Sequence, residues 1–134
     1  MHIASISILV REYDEALHYY TKVLGFELIE DTALAAGKRW LLIAPPGSGE
    51  TRFLLVRAEE PRETAQIGNQ CGGRVWLILA TEDFETDYRI YQSRGVHFCE
   101  PPRQEAYGTV AIFEDLYGNR WDLFQPKTLT KNST

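Results

Sequence analysis

The sequence predicts an α+β fold built from two tandem βαβββ modules whose strands form a curved, partly open mixed sheet. Three observations carry this expectation. Most of the chain alternates apolar and polar residues with the period of two that a strand imposes. Two short stretches instead carry apolar residues at helical spacing and end in Gly25 and Gly95, 70 residues apart. The order strand, helix, three strands occurs twice, which marks a duplicated unit.

From Ile3 to Val10, Ala4, Ile6, Ile8 and Val10 fall on one side, with Ser5, Ser7 and Leu9 on the other. Glu12, Asp14 and Glu15 open a helix where acids suit the positive end of its dipole. Tyr13, Leu17, Tyr20 and Leu24 continue it as an apolar stripe. Strands follow over Phe26 to Ala33, Arg39 to Ala44 and Arg52 to Arg57, the last two separated by the Pro45-Pro46-Gly47 turn. The polar stretch from Ala58 to Gly73 reads as a connection. In the second copy Arg74 to Thr81 is a strand, Asp83 an N-cap, and Phe84, Tyr88 and Tyr91 the stripe of a helix. Val96 to Cys99, Thr109 to Glu114 and Asn119 to Gln125 complete the strands. The resulting organisation is a single domain of residues 1–134, with module 1 at 1–57, a linker at 58–73, module 2 at 74–126, and a polar tail at 127–134 that is expected to be disordered.

Chain length permits one well-filled core. A net charge of −5 without a Lys/Arg cluster argues against a nucleic-acid partner, which would require a basic face. No apolar run approaches the roughly 20 residues of a membrane helix, and Met1-His2-Ile3 leads directly into a strand without signal-peptide features. A cytoplasmic protein is expected, with Cys71 and Cys99 as reduced thiols.

Alternation divides the strands into two faces. The expectation is that Ile6/Ile8, Leu54/Val56, Val75/Leu77/Leu79 and Trp121/Leu123 carry the helices. The opposite face would then hold Ser5, Ser7, Phe53, Leu55, Trp76, Ile78, Asp122 and Phe124, a mixture of aromatic and polar groups that suits a small-molecule pocket. Arg120 and the Tyr107-Gly108 pair would stand at its rim.

Three segments resemble the vicinal oxygen chelate superfamily, the glyoxalase, bleomycin-resistance and extradiol-dioxygenase group. Tyr19-Tyr20-Thr21-Lys22-Val23-Leu24-Gly25-Phe26 is similar to its aromatic-Tyr-x-x-x-Leu-Gly-Phe signature. Glu82 to Val96 resembles its second helix, and Phe113 to Asn119 its Asp-Pro-x-Gly-Asn turn. The resemblance implies the glyoxalase/bleomycin resistance fold and a homodimer. It also implies metal ligands on the first and last strand of each module, positions that fall on Ser5, Phe53, Trp76 and Asp122. Phe and Trp cannot ligate a metal and Ser is a poor ligand, so no cofactor is expected. His2, His18 and His97 are read as structural or surface residues, His97 lacking an acid of matching parity nearby in sequence. Glu114 and Asp115 are read as shaping the hairpin or facing solvent.

Two alternatives stay open for Phe53 and Trp76: they fill the cavity, or they wall an apolar pocket. Asp122 is either held by a neighbour such as Arg120, or is a carboxylate that binds a ligand or serves as a general base. The expected function is metal-independent binding of a small molecule, planar or amphipathic, with Asp122 in any catalytic role and Ser5, Ser7, Phe53, Trp76, Arg120 and Phe124 as ligand contacts. The alternative is a metal-dependent lyase or dioxygenase.

Overall fold

The computed structural model describes residues 1–127, so the expected polar tail lies, from residue 128 onward, outside the described residues. The chain divides into two compact units, Met1–Gly72 and a second from Gly73 onward. Each has its own sheet and its own core, in the α+β class, and the order strand, helix, strands recurs as the sequence predicts, with one additional short strand in the second unit.

In the first unit, β1 (Ser5–Val10) leads to α1 (Tyr13–His18), and β2 (Glu27–Ala33), β3 (Arg39–Ala44) and β4 (Arg52–Arg57) follow. The sheet order is β1-β4-β3-β2, with β1 parallel to β4 and the other pairs antiparallel. Past His18 the helix widens into a π-helical segment, Tyr19–Val23, which ends where the Phe26 amide donates to the Tyr20 carbonyl (2.8 Å) and Gly25 takes a φ of 76°. Tyr13, Ala16, Tyr20 and Leu24 are buried, and Ala16 takes the place that Leu17 was expected to fill.

Face assignment on β4 differs from the alternation argument. Register pairs Ile6 with Phe53 and Ile8 with Leu55, so these four side chains share one face. Ile8, Phe53 and Leu55 are buried, and the Phe53 ring lies 6.1 Å from that of Phe26. Leu54 and Val56 accompany Ser7 and Leu9 on the other face. Sequence could not separate two aliphatic rows of similar hydropathy. Only the pairing with β1 did so.

A one-turn α2 (Pro61–Thr64) lies near the end of the first unit, in the stretch read as a connection, and the second unit begins with β5 (Val75–Ala80) and α3 (Phe84–Ser93). The short β6 (His97–Phe98), β7 (Arg103–Glu105), β8 (Gly108–Glu114) and β9 (Arg120–Pro126) complete it. The sheet order is β5-β9-β8-β6, with β7 also pairing β8. Neither sheet closes on itself among the described residues. The three-residue β7, directly after Pro101-Pro102, escapes the sequence reading because so short a strand shows no period.

Asp83 caps α3 as expected, its Oδ1 accepting from the Thr86 amide at 3.2 Å, and the Gln125 side chain accepts from the Phe84 amide at 2.8 Å. Phe113 anchors the core of this unit, 5.5 Å from the Tyr91 ring and stacked 6.0 Å from that of Trp121. Below it the hairpin turn is built on buried Asp115, which accepts from the amides of Tyr117 and Asn119, from Asn119 Nδ2 and from Trp121 Nε1, all at 3.0–3.1 Å. The Asp115 carboxylate shapes the hairpin and is not solvated.

Candidate functional site

Asp122 is the starting point. On β9, Trp121 and Leu123 are buried in the helix-side core, so Asp122 and Phe124 project from the opposite face of the sheet. Register places Ile78 of β5 on one side of Asp122 and Ile112 of β8 on the other. Phe124 stands between Ala80 and Val110, with the Tyr107 ring 5.8 Å away. Ile78 and Tyr107 are 64% and 58% exposed, so this apolar face is open to solvent. Gly108, beside Tyr107, allows the close approach of β8 and β9 there: a Cβ would meet the Gln125 carbonyl oxygen at 2.2 Å.

The Asp122 carboxylate has an incomplete set of partners. Its Oδ1 is buried and has no hydrogen bond. Burial pushes its pKa up from the ordinary aspartate value, the positive charge of Arg103 partly counters this, and Glu100 adds to the rise. Arg103 projects from β7, registered against Val110, and is held by Glu100 (Nε to Oε1, 2.9 Å) and Glu105 (NH1 to Oε1, 2.7 Å). Two acids therefore already claim Arg103, and what reaches Asp122 is a diluted field. Arg120, the neighbour expected to hold Asp122, pairs in register with Glu114 and leaves Oδ1 unsatisfied.

The other expected contacts fall as follows. Ser5 and Ser7 are exposed on the open face of the first unit, with Leu54 registered against Ser7. Phe53 leaves the expected set, being only 6% exposed in the helix-side core. Trp76 is moved by a β-bulge: register passes from Val75↔Arg120 to Leu77↔Trp121, so Trp76 is an extra residue on β5. Its ring lies edge-on to that of Trp121 at 5.6 Å and not on the row of Asp122. Arg103, Glu100 and Ile112 are the residues around Asp122 that sequence reasoning missed. The only available signal was the charge pattern Glu100, Arg103, Glu105, which a solvated loop would show equally well.

The positions that the resemblance marks for a metal do not fit one. Phe53 and Trp76 have no donor and are packed against other aromatics, Leu54 and Ile78 beside them have none either, and only Ser5 and Asp122 offer oxygen.

A second cluster lies on the same sheet. His97, read as isolated from acids of matching parity, is registered opposite Glu114, with Nε2 3.7 Å from Oε1. The Cys99 thiol is 3.5 Å from that same oxygen. Burial and the Glu114 carboxylate push the thiol pKa up. The antiparallel return of β8 supplies the acid, a partner that parity counted along β6 alone cannot reveal.

Comparison with known proteins gives a consistent result. The family model of the Glyoxalase/Bleomycin resistance protein/Dioxygenase superfamily matches residues 2–123. An uncharacterised protein of Shewanella frigidimarina is 52% identical over 124 residues, covering 92% of each chain. Among solved structures, TnmS3, an antibiotic binding protein from Streptomyces sp. CB03234, is 32% identical with a TM-score of 0.78, covering 95% of this chain and 97% of its own. UcmS2 is 26% identical with a TM-score of 0.80, covering 92% and 97%.

Proposed function

Because the chain belongs to the Glyoxalase/Bleomycin resistance protein/Dioxygenase superfamily, we propose, within that family, a metal-independent small-molecule-binding protein of the antibiotic-binding kind, with Asp122 as its principal polar contact. The observation that carries this reading is the buried Asp122 Oδ1 without a hydrogen-bond partner, set beside Ile78, Ile112 and Phe124 on a face that Ile78 and Tyr107 leave open to solvent. Buried polar atoms in folded proteins are nearly always paired, and one left unpaired beside an accessible apolar surface fits a ligand that supplies the missing donor. The similarity to TnmS3 supports the same ligand class.

A planar or amphipathic molecule would lay its apolar part on the aliphatic and aromatic row and direct an amine or hydroxyl at Oδ1. Tyr107 and Phe124 form the end of that row. Ser5 and Ser7 remain polar contacts of the first unit within this proposal, and Arg120 a rim charge. A homodimer and a cytoplasmic location belong to the same proposal. In any catalytic role Asp122 would be the proton-transfer group.

The test is fluorescence titration of chelator-treated protein with bleomycin and with a panel of planar aromatic antibiotics, repeated on Asp122→Asn. Binding that persists in EDTA and weakens roughly ten- to a hundredfold in the variant supports the reading, since a hydrogen bond to a charged group contributes about 1.5–3 kcal/mol. Binding that requires added metal, or is identical in the variant, overturns it.

A further inference from the structure

The cluster on β6 and β8 has the composition of a metal site at positions away from those the family resemblance marks. Cys99 directly follows β6, and with one residue between them His97 and Cys99 face the same side of that extended segment. The Cys99 amide donates to the Ile112 carbonyl at 2.8 Å, which continues the pairing that sets His97 opposite Glu114. Three donors of different chemistry, imidazole, thiol and carboxylate, are thereby held side by side by backbone hydrogen bonds. Their ligand atoms all lie within 4.8 Å of one another, with 3.5 Å from Cys99 Sγ to Glu114 Oε1 and 3.7 Å from His97 Nε2 to the same oxygen.

We propose that His97, Cys99 and Glu114 form a three-ligand site for a thiophilic divalent cation of the zinc class, with the fourth coordination position open. Tetrahedral geometry with metal–ligand bonds of about 2.0–2.3 Å places donors roughly 3.3–3.8 Å apart. Two of the three separations already meet this. A thiolate with an imidazole selects zinc-like ions over magnesium or calcium, which prefer all-oxygen sites.

The Cys99 thiol donates to the same Glu114 oxygen that His97 faces, so all three groups already converge on one point without a metal. Access is also present. Cys99 is exposed, and His97 and Cys99 line an open depression of about 540 Å³ together with Tyr88, Phe98 and Glu100. That space admits water or a small anion at the fourth position. None of the three ligands is a contact assigned to Asp122, but Glu100 and Ile112 border both places, so metal uptake and Asp122-dependent ligand binding are read out separately.

The test uses the full chain, freed of metal by dialysis against chelator. Zinc is titrated in competition with a chromophoric chelator, and cobalt(II) is titrated while thiolate-to-metal charge-transfer absorption is followed. The expected result is one equivalent of zinc and a charge-transfer band. Cys99→Ser is expected to abolish the band, and His97→Ala or Glu114→Gln to weaken zinc binding at least about tenfold. Cys71→Ser, which removes the other free thiol, is expected to leave both unchanged. Absence of stoichiometric uptake by folded wild-type protein overturns the site, as does wild-type binding by Cys99→Ser or loss of the band in Cys71→Ser. Circular dichroism of each variant confirms that the fold is retained.

Discussion

Asp115 and Asp122 stand in one hairpin and illustrate how environment divides identical side chains. Asp115 is buried with four donors around it, so its removal would take the acceptor from buried N–H groups of Asn119 and Trp121. Asp115→Ala is expected to lose about 3 kcal/mol, measured by urea unfolding; a loss near zero would mean that water replaces the carboxylate without cost. Asp122 is the opposite case. Its folded-state pKa is raised by burial above the unfolded value, so the folded state holds the proton more tightly. The associated stability is fully present below the unfolded pKa of about 4 and is lost as pH rises through the folded pKa. Asp122→Asn, which carries no charge to desolvate, should therefore melt at or above wild type near neutral pH, with this advantage shrinking on acidification. Melting curves that show wild type clearly more stable near neutrality would contradict the unpaired Oδ1. Strand alternation is enough to turn Asp122 away from Trp121 and Leu123, so its orientation was legible in the sequence. Its lack of a partner was not, because that depends on Arg103, which arrives from a strand with no readable pattern and is already engaged by Glu100 and Glu105.

Elements were legible where their period extends over several residues. β3 and β4 have the bounds that alternation predicts, and Asp83 and Gly95 delimit α3 as expected. The failures have local physical causes: a bulge that takes Trp76 out of register, and a β4 whose two faces are equally apolar. The junction of β8 and β9 offers a test at this scale. Gly108 has a φ of 152°, and an added Cβ would lie 2.2 Å from the Gln125 carbonyl oxygen and 2.7 Å from Phe124 Cε1. Gly108→Ala is expected to destabilise by more than about 1 kcal/mol and, by displacing Phe124, to weaken ligand binding on the Asp122 face. Unchanged thermal unfolding in this variant would show that the two strands separate easily there.

At the scale of the whole molecule, the two units have separate sheets and separate cores. Native-state hydrogen exchange is accordingly expected to show two groups of slow amides, one in β3 and β4 and one in β8 and β9, with β2 faster because every residue in it is exposed. A single slow group confined to one unit would refute two self-sufficient cores. No helix among the described residues is long and apolar enough to cross a membrane. The sequence by itself determined the class, the duplicated order of elements, the family and the outward direction of Asp122, because these follow from periodicities and turn residues that act over a few neighbours. Tertiary structure alone decided that Phe53 belongs to the core, that Trp76 packs on Trp121, and that Arg103 and Glu100 set the field at Asp122. It alone placed Glu114 beside His97 and Cys99. Each of these depends on the register between strands distant in the chain, and register is fixed by packing across the sheet, which no stretch of sequence contains on its own.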